Sequence, residues 1–250
     1  MRPQLATNAN KLFEEIERLR LSDEIDAFTF ARLEREIDKL LKIYPFHAYL
    51  LRGALAGLKH DLTGVRENHQ AALKLAMMKE DKATVLDNYA TSIWINGGFS
   101  EASKLSMEAY KHFPSIYFAQ QNILSLWTVG LFHQAANFMR QCSQKLQHDD
   151  YRFIFQTEQF MNQHDVSDEL LQQLIEMAIA VLHKHGFFNF RHTQVELIED
   201  ENDLCFCYII KVKRPMAEVI DLNYELAREI AKSGLPTSLT LNFVPMYEIA

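Results

Sequence analysis

The chain is poor in the residues that announce a particular chemistry. Its 250 residues include three cysteines, Cys142, Cys205 and Cys207. An odd count without a repeated spacing excludes a disulfide framework and points to a reducing compartment. Eight glycines and six prolines are too few for a low-complexity or disordered chain. No apolar run approaches the roughly 18 residues that a membrane span needs. Residues 1–20 carry no apolar segment behind positive charge, so no secretory signal is read. The expectation is a cytoplasmic protein without a membrane partner. Also missing are a glycine-rich phosphate loop, a G-x-S-x-G elbow and an H-E-x-x-H pair. Spacing alone assembles no nucleophile, base and orienter. No catalytic residue, metal or cofactor is therefore expected, and the reading leans away from an enzyme.

Positive charge is also in short supply. Lysine and arginine number 26 against 33 aspartates and glutamates, a net of −7. Residues 166–250 hold 7 and 13, a net of −6, whereas residues 1–165 hold 19 and 20, a net of −1. An acidic module is poorly suited to phosphate backbones, where cations supply most of the affinity. This argues against a nucleic-acid partner.

What the chain does have is helical periodicity that repeats. Apolar residues recur at helical spacing over about 8–21 (Leu12, Phe13, Ile16, Leu19). They recur again behind Ser22, read as an N-cap followed by Asp23 and Glu24 at the positive end of the helix dipole. Helical pairs follow at about 46–60 and 62–79, 83–95 and 99–112, and 115–129 and 131–147. Residues 83–114 form two helices around Gly97-Gly98, closed by Pro114. Thirty-three residues later the pattern returns: Gly97 maps onto Gly130, Phe99-Ser100-Glu101-Ala102 onto Phe132-His133-Gln134-Ala135, and Trp94 onto Trp127. A fixed period of this size means stacked supersecondary units, each burying its apolar face on the next.

The 83–114 unit resembles a tetratricopeptide repeat through Ala90, Gly97, Phe99, Ala102, Ala109 and Pro114. The next unit keeps Gly130, Phe132 and Ala135 but has Cys142 for the second alanine and no closing proline. The unit at 46–79 fits more loosely, with Leu51, Leu62 and Ala71. The resemblance covers roughly residues 46–149. It implies a right-handed array of helical hairpins whose first helices line a concave groove. By that mapping Trp94 and Trp127, with Tyr49, Asp87, Thr91, Tyr117, Gln120 and Leu124, are the candidate partner-binding residues. Exposed Trp and Tyr suit the anchoring of a protein segment. The alternative is that both indoles pack internally. The lysine and asparagine pattern by which some members clamp a terminal carboxylate is not found.

Beyond residue 165 the organisation changes. Tyr151–Asn162 reads as a helix, His164–Ser167 as a break, and Ser167 as the cap of a helix ending before Gly186. The period then falls from 3.6 to 2. Val195 and Leu197 mark one strand. Leu204, Phe206, Tyr208, Ile210 and Val212 alternate with Cys205, Cys207 and Ile209 along a second. A helix from Pro215 to about Ser233 and a strand over Pro236–Val244 complete an α-β-β-α-β order. If the last strand runs parallel to the one before the helix, a crossover joins them. The fold class is α+β, with a helical repeat domain at 1–165 and a small acidic α+β domain at 166–250.

Other clusters have two readings each. Cys205 and Cys207 share a strand face, as soft metal ligands with His183, His185 and His192 or as core thiols. His183-Lys184-His185 ends a helix, where cations suit the dipole. Glu199–Asp203 reads as an acidic hairpin tip without the glycine and terminal glutamate of a calcium loop. Lys211, Lys213 and Arg214 are basic, but Phe206 and Tyr208 fall on the opposite strand face from Lys211 and Lys213, which weighs against an RNA-binding sheet. The function expected is a non-enzymatic scaffold or adaptor that binds another protein or peptide in the groove. An inhibitor of antitoxin or immunity type is one version of it. The edge strands of the sheet are expected to pair with another chain, a second copy included. The competing expectation is a ligand sensor or enzyme in the C-terminal module, with polar groups converging between helix 167–185 and the sheet.

Overall fold

The computed structural model describes residues 3–20, 22, 25–142, 146, 148–187, 193–200 and 203–250. Helices follow one another as α1 (Pro3–Leu19), α2 (Ala27–Leu41), α3 (Pro45–Leu58), α4 (Leu62–Leu75), α5 (Lys79–Ile95), α6 (Phe99–His112), α7 (Ile116–Trp127), α8 (Phe132–Gln141), α9 (Arg152–Gln163) and α10 (Asp168–Lys184). Strands β1 (Thr193–Asp200) and β2 (Asp203–Val212), helices α11 (Met216–Lys232) and α12 (Thr237–Asn242), and strand β3 (Phe243–Ile249) complete the chain. The fold is α+β, helix-rich, with consecutive helices packed on their neighbours as a helical repeat array requires.

A single turn geometry recurs along the array. His60, Gly97, Gly130, Asp165 and Gly186 all have positive φ, at 58°, 81°, 84°, 53° and 77°. In each case the next amide reaches back five residues: Asp61 N to Ala56 O, Gly98 N to Ile93 O, Leu131 N to Leu126 O, Val166 N to Met161 O, and Phe187 N to Leu182 O, all at 2.9–3.0 Å. This is the Schellman arrangement, which satisfies carbonyls that the helix end leaves open. The first four of these residues lie 37, 33 and 35 positions apart. The sequence period is therefore the period of a turn, and it extends to residue 165. His164–Ser167, expected as a break between domains, has the turn found inside the hairpins.

By packing the chain divides into two compact units, Met1–Asn122 and Ile123–Ala250. The division falls ahead of the domain boundary at 165/166 read from the sequence. The reason is that the helices before it bury on the sheet. Phe132 of α8 meets Phe206 of β2 edge-on at 5.5 Å, and Phe160 of α9 lies 5.1 Å from Phe243 of β3.

The first unit has its core in Ile16, Leu33, Ile37, Leu51 and Ala54 from α1, α2 and α3, and in Val65, Tyr89, Ile93 and Ala102 from α4, α5 and α6. Gly53 and Gly57 on α3 make room for their neighbours. A methyl at Gly53 would lie 2.6 Å from the His69 ring, and one at Gly57 3.0 Å from the Ser92 Cβ.

Several boundaries differ from the sequence reading. Asp26, not Ser22, caps α2, accepting from the Thr29 amide at 2.8 Å. Asp23 and Glu24 lie outside the described residues. Helix α5 begins at Lys79 rather than Ala83, because the Asp81 carboxylate folds back to the Met78 amide at 3.2 Å and starts the helix early. Helix α8 stops at Gln141 instead of reaching 147. The strand expected over Pro236–Val244 is a helical turn followed by a strand. Pro236 O accepts from the Leu239 and Thr240 amides at 3.0 and 3.2 Å, so Leu239 is buried and Leu241 exposed. Alternation at Leu239, Leu241 and Phe243 concealed that turn.

In the second unit the sheet order is β1-β2-β3, with β1 and β2 antiparallel and β2 and β3 parallel. The central strand is buried on both faces: Phe206, Tyr208 and Ile210 on one, Cys207 and Ile209 on the other. Tyr208 donates its hydroxyl to Thr128 O at 2.5 Å, and Tyr247 donates to Ala178 O on α10. The outer edge of β3 is closed by a side chain. Tyr247 N donates to Asn223 Oδ1, and Asn223 Nδ2 donates to Tyr247 O, both at 2.9 Å. Asn223, on α11, thus stands in for a fourth strand at that point.

Candidate functional site

Two helical stripes carry most of the residues singled out from sequence. On α5, Asp87, Thr91 and Trp94 are spaced i, i+4, i+7 and so share a face; all three are half-buried. On α7, Tyr117, Gln120 and Leu124 are spaced i, i+3, i+7, and all three are exposed. The 33-residue period maps Asp87, Thr91 and Trp94 onto Gln120, Leu124 and Trp127. The stripes are joined where Tyr117 donates its hydroxyl to Asp87 Oδ2 at 2.9 Å. Thr91 turns its hydroxyl back to Asp87 O at 3.0 Å.

Two further side chains, Arg20 and Glu17, act on this pair, and His69 is linked to it through the Arg20 charge. Arg20, just past the end of α1, is 6 % exposed and pairs with Glu17. Burial, aided by the Glu17 charge, pushes the Asp87 carboxyl up to about 6 against the Tyr117 hydrogen bond and the Arg20 charge, which both favour the ionised form. Burial, aided by the Asp87 charge, raises the Tyr117 hydroxyl, which therefore remains a donor. His69, on α4, is fully buried, and desolvation followed by the Arg20 charge lowers it to about 3. Its ring stacks on Tyr89 at 5.1 Å, and its Nε2 meets Ser92 Oγ at 3.3 Å. Ser92 Oγ donates to Asn88 O, so the imidazole Nε2–H is the donor of that pair. Arg20, Glu17 and His69 were not legible as site residues. Arg20 stands at the end of one amphipathic helix and His69 within another, and neither sequence context marks it as buried polar.

The tryptophans are engaged locally. Trp94 lies edge-on to Phe99 of its own hairpin at 5.9 Å, within the first unit, and Trp127 edge-on to Phe153 at 5.3 Å, within the second. Both are half-buried. Tyr49 packs on the small cluster of Leu50, Ala72 and Val85.

The remaining clusters are accounted for by neighbours. Lys184 and His185 both hold Glu225 of α11, at 2.5 and 2.8 Å, and keep its carboxyl down at about 2. Burial pushes the Cys207 thiol up to about 11, with Cys205 beside it adding to the effect. No three His, Cys, Asp or Glu side chains among the described residues come together as metal ligands. His192 and residues 201–202 of the acidic tip lie outside the described residues. Arg214 sits over the Phe187 ring at 4.5 Å. The space between α10 and the sheet is lined by Leu171, Leu174, Ile175, Phe206, Tyr208 and Phe243. The hydroxyl there, of Tyr208, is committed to the Thr128 carbonyl. No helix among the described residues is long and apolar enough to cross a membrane. Comparison with family models, with curated proteins and with solved structures finds no match to this chain.

Proposed function

We propose that the chain is a non-enzymatic adaptor of tetratricopeptide type. In this reading a protein segment binds along the surface carried by the first helices of successive hairpins. The observation that carries the reading is the Tyr117–Asp87 hydrogen bond. It ties α5 to α7 and leaves Tyr117, Gln120 and Leu124 as an exposed mixed stripe. Asp87 is half-buried and committed to Tyr117, so the open contact surface is on α7. An exposed tyrosine and leucine flanking a glutamine can anchor apolar side chains and hydrogen-bond an extended or helical segment. An inhibitor that covers its target through this surface is one form of the reading.

The test uses exposed positions, because truncating either half-buried indole would also remove a ring contact. A Gln120→Arg/Leu124→Arg variant and the wild type are compared by capture from the source cell's lysate, after both show the same melting curve. The expected result is a protein retained by the wild type and lost from the variant. A partner held equally by both would sink the assignment to α7.

A further inference from the structure

The exposed apolar side chains of the first unit are sorted by topology. Consecutive helices joined by short turns alternate in direction. The α2–α3, α4–α5 and α6–α7 turns therefore lie at one end, and the α3–α4 and α5–α6 turns at the other. At the first end Ile43 is 56 % exposed, Met77 94 %, Met78 67 %, Phe113 37 % and Ile116 48 %. Among the described residues of this unit, the one exposed large apolar side chain at the other end is Phe28. That other end is polar. His60 Nδ1 meets Asn96 Oδ1 at 3.1 Å, Asn96 Nδ2 donates to Gly57 O, and Asp61 accepts from the Gly64 amide.

The apolar end is also basic. The C-termini of α2, α4 and α6 meet there, and their dipoles favour cations. Lys42, Lys74, Lys79 and Lys111 are exposed in or beside the three turns. Lys111 is held by Glu108 at 2.6 Å. The acids alongside are Glu80 and Asp81, and Asp81 is turned back onto the Met78 amide. In a chain of net charge −7 this end carries an excess of lysine.

We propose that this end of the first unit docks peripherally on an anionic lipid surface. The apolar groups are tips of turns, not the walls of a recess. Neighbouring helices pack about 8–10 Å apart, which sets the tips in a row on the order of 10–20 Å between successive turns. Such a row can enter the boundary between headgroups and acyl chains while lysines, stems lying along the apolar surface, reach lipid phosphates. Ile116 borders Tyr117 of the α7 stripe, but the proposal does not rest on that stripe.

The test is co-sedimentation of the full chain with vesicles of phosphatidylcholine, alone or mixed with phosphatidylserine, at low and raised salt. Two double variants accompany it, Met77→Asp/Met78→Asp and Lys42→Glu/Lys74→Glu. All four positions are exposed, so both variants are expected to melt as the wild type does. The expected result is binding to the serine-lipid vesicles that weakens with salt and is at least about tenfold weaker on phosphatidylcholine alone. Each lysine near the surface contributes about fivefold, so the lysine pair should lose about 25-fold or more. The methionine pair should lose at least about tenfold. Equal binding to both vesicle types, no binding to either, or retention within about twofold by both variants would overturn the proposal. Capture of an acidic protein in place of vesicles would overturn it too, and would make this end a protein interface.

Discussion

Gly130 and Gly186 occupy the same position in the same turn, in the same unit, yet they differ in what surrounds them. Both have positive φ, 84° and 77°. A methyl on Gly186 would meet nothing within 4 Å. A methyl on Gly130 would lie 2.9 Å from Ile175 Cδ1 and 3.1 Å from both Gln172 N and Leu171 C. The last two are backbone atoms of α10 and cannot rotate aside. Gly186→Ala should therefore cost only the left-handed conformation, about 1–2 kcal/mol. Gly130→Ala adds overpacking of about 1–3 kcal/mol, for a total of about 2–5 kcal/mol. Urea unfolding of the full chain, followed by circular dichroism, measures both. The prediction is a lower midpoint at an unchanged slope, with Gly130→Ala lower than Gly186→Ala. Equal shifts would refute the reasoning. They would mean that α10 moves away from the α7–α8 turn at no cost, and that the contact does not hold the turn against the helix.

Three other outcomes follow from individual contacts. Asn223→Ala should destabilise by about 2–4 kcal/mol, because it strands the amide and carbonyl of the nearly buried Tyr247; a loss under about 0.5 kcal/mol in urea unfolding would show that water replaces the clamp. Tyr208→Phe should cost about 1–3 kcal/mol, since it leaves the buried Thr128 carbonyl without its donor, and a midpoint equal to wild type would count against that bond. Asp87 and His69 should oppose each other in acid. Below pH 6.5 the unfolded chain binds a proton at His69 that the folded chain refuses until about pH 3, so stability falls as pH drops. Below about pH 6 the folded chain binds one at Asp87 that the unfolded chain takes up only near 3.8, so stability rises. The two slopes cancel between about pH 6 and 3.8, and Asp87→Asn should expose a fall of about 1.4 kcal/mol per pH unit relative to wild type. Parallel stability curves for the two proteins would refute it.

The parts that were legible from sequence are those in which one local signal decides. Helix α6 runs from Phe99 to His112 as read, because a glycine turn precedes it and a proline follows. Ser167 caps α10 and Gly186 ends it for the same kind of reason. The alternation along β2 was readable because a central strand must bury both sides. The repeat was under-read where the turn residue is His60 or Asp165 instead of glycine. The left-handed conformation is the same, but the letter that signals it is missing. The short helix α12 was misread because three apolar residues at period 2 also fit the turn that Pro236 starts. At the candidate site the period aligned Asp87 with Gln120 and Thr91 with Leu124. It could not show that Arg20, from a helix outside the matched repeats, supplies the charge beside Asp87.

The two kinds of turn in the first unit explain why it has two unlike ends. Inside a hairpin the chain reverses through a left-handed residue and a backbone bond that spans five positions. Such a turn uses up its own carbonyls and needs small or polar residues, as His60-Asp61 and Gly97-Gly98 show. Between hairpins the chain crosses over with extended residues such as Ala76 and Met78, and with Pro45 and Pro114 near the next helix start. There the helix ends remain more open, lysines gather on their dipoles, and side chains project outward. Polar satisfaction thus concentrates at one end and exposed apolar surface at the other. If the apolar residues there were only tolerated surface, one would expect them singly, and at both ends in similar number. Their gathering at successive crossovers, next to lysines, is what a selected contact surface would produce.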